Sequence, residues 1–273
     1  MEKNKYKVRV IAFYLPQFHP TPENDKWWGK GFTEWTNVGK AKPLFKGHYQ
    51  PKVPADLGYY DLRVPETRRE QAELARQYGI EGFCYWHYWF GNGRQLLQRP
   101  FQEVLASGEP DFPFCLAWAN HSWEDKQFNK EGGNKMLMEQ LYPGDEDYIA
   151  HFNAVLPAFK DPRYIRVNGE PLFMIYAPMK VPDIAHFIEL WQKLAEPHGF
   201  RIHFVGHTSK TEELPLFRQW GFNATNLVRL FDVFQKNYSL LGRIKTKFQR
   251  ITFHQGQRID SVSYTHLTLP TTP

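Results

Sequence analysis

The run Gly82-Phe83-Cys84-Tyr85-Trp86-His87-Tyr88 decides the fold. It is apolar for most of its length and ends in an aromatic and polar cluster, Tyr85-Trp86-His87-Tyr88-Trp89. A short run without polar alternation suits a strand buried on both faces, as in a parallel sheet covered by helices. Pro65 opens a helix ahead of it, over 65–78, and Gly79 closes that helix. This is the usual placement of proline first and glycine last. A second helix, over about 96–107, follows the strand and stops at Gly108.

The alternation extends in both directions. Upstream, residues 8–15 form a nearly continuous apolar strand ended by Pro16, and an aromatic, Gly/Pro-rich segment without helical period reaches about Tyr60. Downstream, 112–119 is a third strand, 120–144 a long polar loop, and 145–159 a helix. Asn168-Gly169, between apolar runs at 164–167 and 172–176, predicts a tight hairpin. The second arm of that hairpin is the fourth core strand. Asp183 caps a helix to about 196 whose apolar stripe is Ile184, Phe187, Ile188, Trp191 and Leu194. A fifth strand over 202–206, a short helix over 212–220 and a sixth strand over 224–230 complete the pattern.

Two α/β architectures can follow from such alternation. A doubly wound nucleotide-binding sheet needs a glycine-rich turn after its first strand. Here that turn reads Leu15-Pro16-Gln17-Phe18-His19, with no glycine to admit a pyrophosphate. The alternative is a (β/α)8 TIM-type barrel, whose site forms where the strands end. The strand ends fit that pattern: Tyr14, Gln17 and His19; Tyr85 to Trp89; Trp118, Asn120 and His121; Tyr176; and His207. About six β/α units are legible against the eight of a closed barrel, so the expectation is a barrel truncated at its C-terminus.

Composition bounds the function. Apolar residues make up 42%, charged residues 23% and aromatics 16% of the 273 residues, which excludes a disordered or collagen-like chain. Mean hydropathy is −0.58, and no apolar run approaches the roughly 20 residues that cross a bilayer. No secretory signal is legible, which makes a cytoplasmic location the expectation. The net charge of +5 is a mild excess. The basic stretch from Lys236 to Arg250 reads as a solvated face, and no nucleic-acid partner is expected. Cys84 and Cys115 sit in apolar runs without metal or redox spacing and read as buried free thiols.

The aromatic strand ends suggest a sugar site. Sugars present apolar C–H faces ringed by hydroxyls, and each hydroxyl stripped of water without a new partner costs about 1–3 kcal/mol. Such a site needs aromatic platforms beside His, Asn, Gln and carboxylate groups. The segment Trp27-Trp28-Gly29-Lys30-Gly31-Phe32-Thr33-Glu34-Trp35 supplies several of these on a loop. Strand alternation assigns Tyr85 and His87 to the pocket and Trp86 to the helix side. His203 and His207 share a face but have no further ligands to make a metal site. Asp145-Glu146-Asp147 has the D-x-D spacing by which many sugar transferases hold a cation, yet it also opens a helix, where acidic residues favour the N-terminal dipole. Capping is the better reading, and neither a metal nor an organic cofactor is expected.

Several longer blocks carry a resemblance. They are Phe13-Tyr14-Leu15-Pro16-Gln17-Phe18-His19-Pro20, the stretch from Glu23 through Trp27-Trp28-Gly29-Lys30-Gly31-Phe32-Thr33-Glu34-Trp35 to Val38, Gly47-His48-Tyr49-Gln50-Pro51, Asp56-Leu57-Gly58-Tyr59-Tyr60-Asp61-Leu62-Arg63, and Gly79-Ile80-Glu81-Gly82 through Phe90. Together they resemble the bacterial WbsX-like glycosyltransferase family of surface-polysaccharide gene clusters, which is related to glycoside hydrolase family 99, the endo-mannosidases. The resemblance implies a (β/α)8 barrel, glycosidic-bond chemistry, an oligosaccharide or polysaccharide substrate and a possible sugar donor. An endo-acting hydrolase and an inactive carbohydrate-binding fragment are the alternatives.

Two departures bear on the site. Where the family has a Trp-Ala-Asn-Glu-like run, this chain reads Trp118-Ala119-Asn120-His121. The paired glutamates of the hydrolase relatives have no late-strand counterpart, because the only E-x-x-E, Glu70 to Glu73, lies on a solvated helix face. That pair is expected beyond the end of this chain. Glu34 is the retained catalytic candidate. Tyr14, Gln17, His19, Trp28, Trp35, Tyr85, His87, Trp118, Asn120, His121, Tyr176 and His207 are expected to line the substrate pocket. The domain is expected to span 1–260. Residues 261–273, Ser-Val-Ser-Tyr-Thr-His-Leu-Thr-Leu-Pro-Thr-Thr-Pro, read as a translated sequencing adapter rather than native protein.

Overall fold

The computed structural model describes residues 8–125 and 135–229. Its centre is a sheet of six parallel strands: β1 (Ile11–Tyr14), β2 (Gly82–Trp89), β4 (Phe114–Trp118), β8 (Glu170–Ile175), β9 (His203–Thr208) and β10 (Ala224–Leu227). They lie side by side in chain order. Two-residue strands β3 (Gln95–Leu96) and β7 (Arg166–Val167) fold back on β2 and β8. A separate hairpin joins β5 (Trp123–Asp125) to β6 (Lys135–Met138).

Helices α3 (Pro65–Gln77), α4 (Arg99–Ser107), α5 (Asp145–Lys160), α6 (Ile184–Ala195) and α7 (Leu214–Gln219) connect successive strands. Each meets the sheet through aromatic or polar partners. Tyr14 donates to Gln71 of α3 at 2.6 Å, Tyr85 packs on Phe101 of α4, and Trp118 stacks on Phe187 of α6 with ring centroids 5.4 Å apart. Asp147 of α5 accepts from the Trp89 indole at 3.0 Å. Asp145, in the same first turn, pairs with His186 of α6 at 2.7 Å. The D-x-D spacing therefore serves helix docking.

The sheet is curled. Phe13 on β1 and His207 on β9 have ring centroids 6.4 Å apart, although three strands separate them. In a flat sheet, four strand spacings of about 4.8 Å would hold them roughly 19 Å apart. Side chains of the concave face therefore converge, as they do inside a barrel. The architecture is a partial TIM-like α/β barrel of six strands.

Local chemistry explains the details. Asn168 and Gly169 both have positive φ, 52° and 87°, as the primed hairpin turn between β7 and β8 requires. Gly82 admits no side chain, because a Cβ there would lie 2.4 Å from the Pro113 carbonyl oxygen. Cys84 and Cys115 are register partners, both buried and free.

Three expectations need correction. The segment before Tyr60 contains two helices, α1 (Pro22–Trp28) and α2 (Glu34–Lys40), each capped by a threonine. At seven residues they are too short to show an apolar period. The polar loop holds the β5–β6 hairpin. Helix α4 starts at Arg99 rather than near Leu96, because Leu97 adopts a positive φ of 58° and Pro100 sets the first turn. The basic stretch at 236–250 and the tail at 261–273 lie outside the described residues.

Candidate functional site

The concave face reads in layers. Trp86 is in register with Ala117, Met174, Val205 and Ala224 on the neighbouring strands. The layer nearer the C-terminal ends brings Tyr88, Tyr176, His207 and Asn226 to the same face. Small residues on β4 leave room between the large rings on either side. Phe13 stacks on Trp86 with centroids 4.7 Å apart and planes within 3°. Trp86 meets Tyr176 edge-on at 5.5 Å, and Tyr176 packs on His207 at 4.9 Å and on His121 at 5.2 Å. Phe13 is 45% exposed and Tyr176 37%, so this aromatic lining opens to solvent.

Polar groups stand beside the rings. The Asn226 amide donates to His207 Nδ1 at 2.9 Å, which leaves the ring proton on Nε2. Burial holds His207 below its ordinary pKa, so it is a neutral imidazole at pH 7. Glu34 is the first residue of α2, where the helix dipole favours a carboxylate. Its side chain is buried, and that burial pushes the carboxyl up against a smaller opposing hydrogen bond with Asn37. Tyr88 is raised first by its own burial and then by the charges of Glu34 and Tyr176. Neutral imidazole, buried carboxyl and phenol together can accept and donate hydrogen bonds to hydroxyls and move a proton.

The predicted residues divide. His121, Tyr176 and His207 come together on the concave side, while Glu34 is buried at the start of α2. Tyr14, Tyr85, His87 and Trp118 do not join them: they face the helices. The assignment by alternation had the right period and the wrong parity, for Trp86 is on the concave face and its two neighbours are not. His87 Nε2 sits 2.8 Å from His151 Nε2 of α5, and the Trp118 indole donates to the Trp89 carbonyl at 2.9 Å. Asn120 is fully buried and ties two strand ends, accepting from the Ala177 N–H at 2.7 Å and donating to the Ala177 carbonyl at 2.9 Å.

Gln17 and His19 are buried in the turn after β1, and burial lowers the His19 pKa. Trp35 packs on Phe18 and donates to the Tyr60 carbonyl at 2.8 Å, while Trp28 packs on Phe32. Trp28, the last residue of α1, and Trp35, in α2, thus pack within the connection between β1 and α3. Phe13, Trp86, Tyr88 and Asn226 were missed. A signal for the parity existed: Asp147 and His151 lie one turn apart on α5, two polar groups on an otherwise apolar helix face that needed partners from the outer side of β2.

Two grooves lie elsewhere. One of about 710 Å³ runs between α6 and α7, and one of about 790 Å³ between α3 and α4. Both are on the helix layer, away from the strand ends where barrel sites form. Among the described residues, no three His, Cys, Asp or Glu side chains gather as a metal site.

The fold and this face define a partial parallel α/β barrel with an aromatic, polar-edged concave face at its strand ends. A model of the glycosyltransferase WbsX family matches residues 10–268. The chain belongs to that family. The uncharacterized protein WxcX of Xanthomonas campestris pv. campestris, strain B100, is 42% identical over 217 residues, covering 79% of this chain and 30% of WxcX. WxcX of strain ATCC 33913 matches to the same extent. The chain thus spans about 30% of the length of these relatives. Among solved structures, a GH99 endo-alpha-mannosidase from Bacteroides thetaiotaomicron aligns at 16% identity with a TM-score of 0.49, over 80% of this chain and 60% of that one. A glycoside hydrolase-like protein aligns at 15% identity with a TM-score of 0.45, over 73% of this chain and 51% of that one.

Proposed function

We propose that this chain forms the saccharide-binding half-barrel of a glycosyltransferase that acts in bacterial surface-polysaccharide assembly. One observation carries the reading: Phe13, Trp86, Tyr176 and His207 converge on the concave face. The ring faces suit the C–H faces of a pyranose. Asn226, His207, His121 and Tyr88 suit its hydroxyls. Family membership supports the same chemistry.

Glycosidic transfer passes through an oxocarbenium-like state flanked by an acid and a base. Glu34, kept protonated to higher pH by its burial, takes the role of acid, giving its proton to the leaving oxygen as the glycosidic bond breaks.

The test uses full-length WxcX, incubated in parallel with sugar nucleotides plus acceptor oligosaccharides and with mannans alone. Transfer to the acceptor is the expected result. Hydrolysis of mannan without transfer overturns the transferase reading. Unchanged saccharide affinity in the variant at the position of Trp86, substituted by Ala, overturns the placement of the site.

A further inference from the structure

The segment that joins α2 to α3 has a composition the barrel does not require. No acidic residue occurs between Glu34 and Asp56, while Lys40, Lys42, Lys46 and Lys52 all stand exposed. None of the four forms an ion pair among the described residues. Large apolar side chains are interleaved with them: Leu44 is 75% exposed, Tyr49 65% and Val53 62%. Single exposed apolar residues are ordinary on protein surfaces, but several on one lysine-rich loop mark an interaction surface.

The loop is a formed structure. Phe45 stacks on His48 with centroids 4.6 Å apart, the Leu44 N–H donates to His48 Nδ1 at 3.2 Å, and the Lys52 ammonium lies 4.8 Å from the centre of the Tyr49 ring. It belongs to the connection that leaves β1 at its C-terminal end, the end of the sheet where the concave cleft opens.

The pattern selects among partners. A soluble polyanion would satisfy the lysines and leave Leu44 and Val53 in water. An apolar protein groove would take the aliphatic groups and leave four ammonium groups without a counter-charge. A bilayer surface rich in anionic headgroups satisfies both sets. Leu44 and Val53 can enter the boundary between headgroups and acyl chains, Tyr49 suits the interface, and the lysines can extend to the phosphates. We infer that the loop over residues 40–53 docks this protein on an anionic membrane surface, with the cleft end of the barrel turned toward the bilayer. The contact is peripheral. No helix among the described residues is long and apolar enough to cross a membrane.

The experiment is co-sedimentation of the full chain with two kinds of vesicle, phosphatidylcholine alone and phosphatidylcholine mixed with phosphatidylglycerol. Binding to the mixed vesicles, weakened by added salt, is expected, with little binding to the neutral ones. Each lysine near such a surface contributes about fivefold to partitioning, so changing all four to Gln should lower it at least tenfold. Leu44→Trp supplies a second readout that leaves the lysines in place. Its emission should shift to the blue on mixed vesicles and stay unshifted with soluble polygalacturonate. That reading decides the matter if the four-lysine variant loses its folded circular-dichroism spectrum. Equal binding to both vesicles, no binding to either, or capture by polygalacturonate with an unshifted Leu44→Trp emission overturns the inference.

Discussion

On the proposed reading, Trp86 gives the site its shape and Glu34 its proton. Trp86 is stacked on Phe13 and meets Tyr176 edge-on, which fixes its plane before any ligand arrives. Trp86→Ala is expected to weaken saccharide binding by roughly tenfold or more, read by calorimetric titration, because it removes the largest apolar platform. Glu34→Gln keeps the shape and removes the proton. On the proposed reading it is expected to lower kcat by about 10²- to 10⁴-fold. The sign of the pH dependence follows from the raised carboxyl. Activity that needs protonated Glu34 falls as pH rises through that raised value, and the Gln variant loses this limb of the profile. A Glu34→Gln enzyme with the parent pH profile would remove Glu34 from the chemistry. At this scale the residue types were legible in the sequence, and their side of the sheet was not. Tyr85, Trp86 and His87 are all suited to a sugar and all suited to a core.

At the scale of elements, punctuation was readable where it is chemical. Pro65, Asn168-Gly169 and Asp183 each impose a backbone state or satisfy an orphan N–H, so their elements begin where expected. Asp183 accepts from the His186 N–H at 3.3 Å at the start of α6. Asp183→Ala should cost about 1 kcal/mol, measured by urea unfolding. Gly82 is more demanding. Its missing side chain lets β2 pass the Pro113 carbonyl, and Gly82→Ala must displace one strand or the other. A loss of roughly 1–3 kcal/mol is expected by the same measurement. An unchanged unfolding midpoint would mean that the strands have slack there. The short helices α1 and α2 escaped the pattern because two turns bury too little to impose a period.

At the scale of the molecule, buried polar partners bind the helix layer to the sheet. The most consequential is His87 with His151, both buried, stacked on each other and joined at 2.8 Å, with His151 also stacked on Trp89. Burial lowers His87 to about 4, and it holds His151 well below the usual histidine range, with the neighbouring His87 adding to the effect. In the unfolded chain both titrate near 6.5. Between pH 6.5 and about 4 the unfolded state therefore binds more protons, and stability falls as pH falls through that window. Thermal melts should show Tm declining across it. The double variant His87→Leu/His151→Leu, which replaces both partners by apolar groups, should flatten the decline. An unaltered acid slope in that variant would place the acid sensitivity elsewhere.

Strand–helix alternation, the absence of a phosphate-binding turn and the aromatic strand ends are local properties. They determined a parallel α/β barrel-like sheet before any contact was known, because hydrophobic period and turn chemistry act over a few residues. Which face of β2 turns to the cleft was decided only by tertiary structure. Alternation fixes that Tyr85 and His87 point one way and Trp86 and Tyr88 the other, but it is symmetric between the two sides. The symmetry is broken by partners some 60 residues away, Asp147 and His151 on α5, whose buried polar atoms meet Trp89 and His87 in the folded chain.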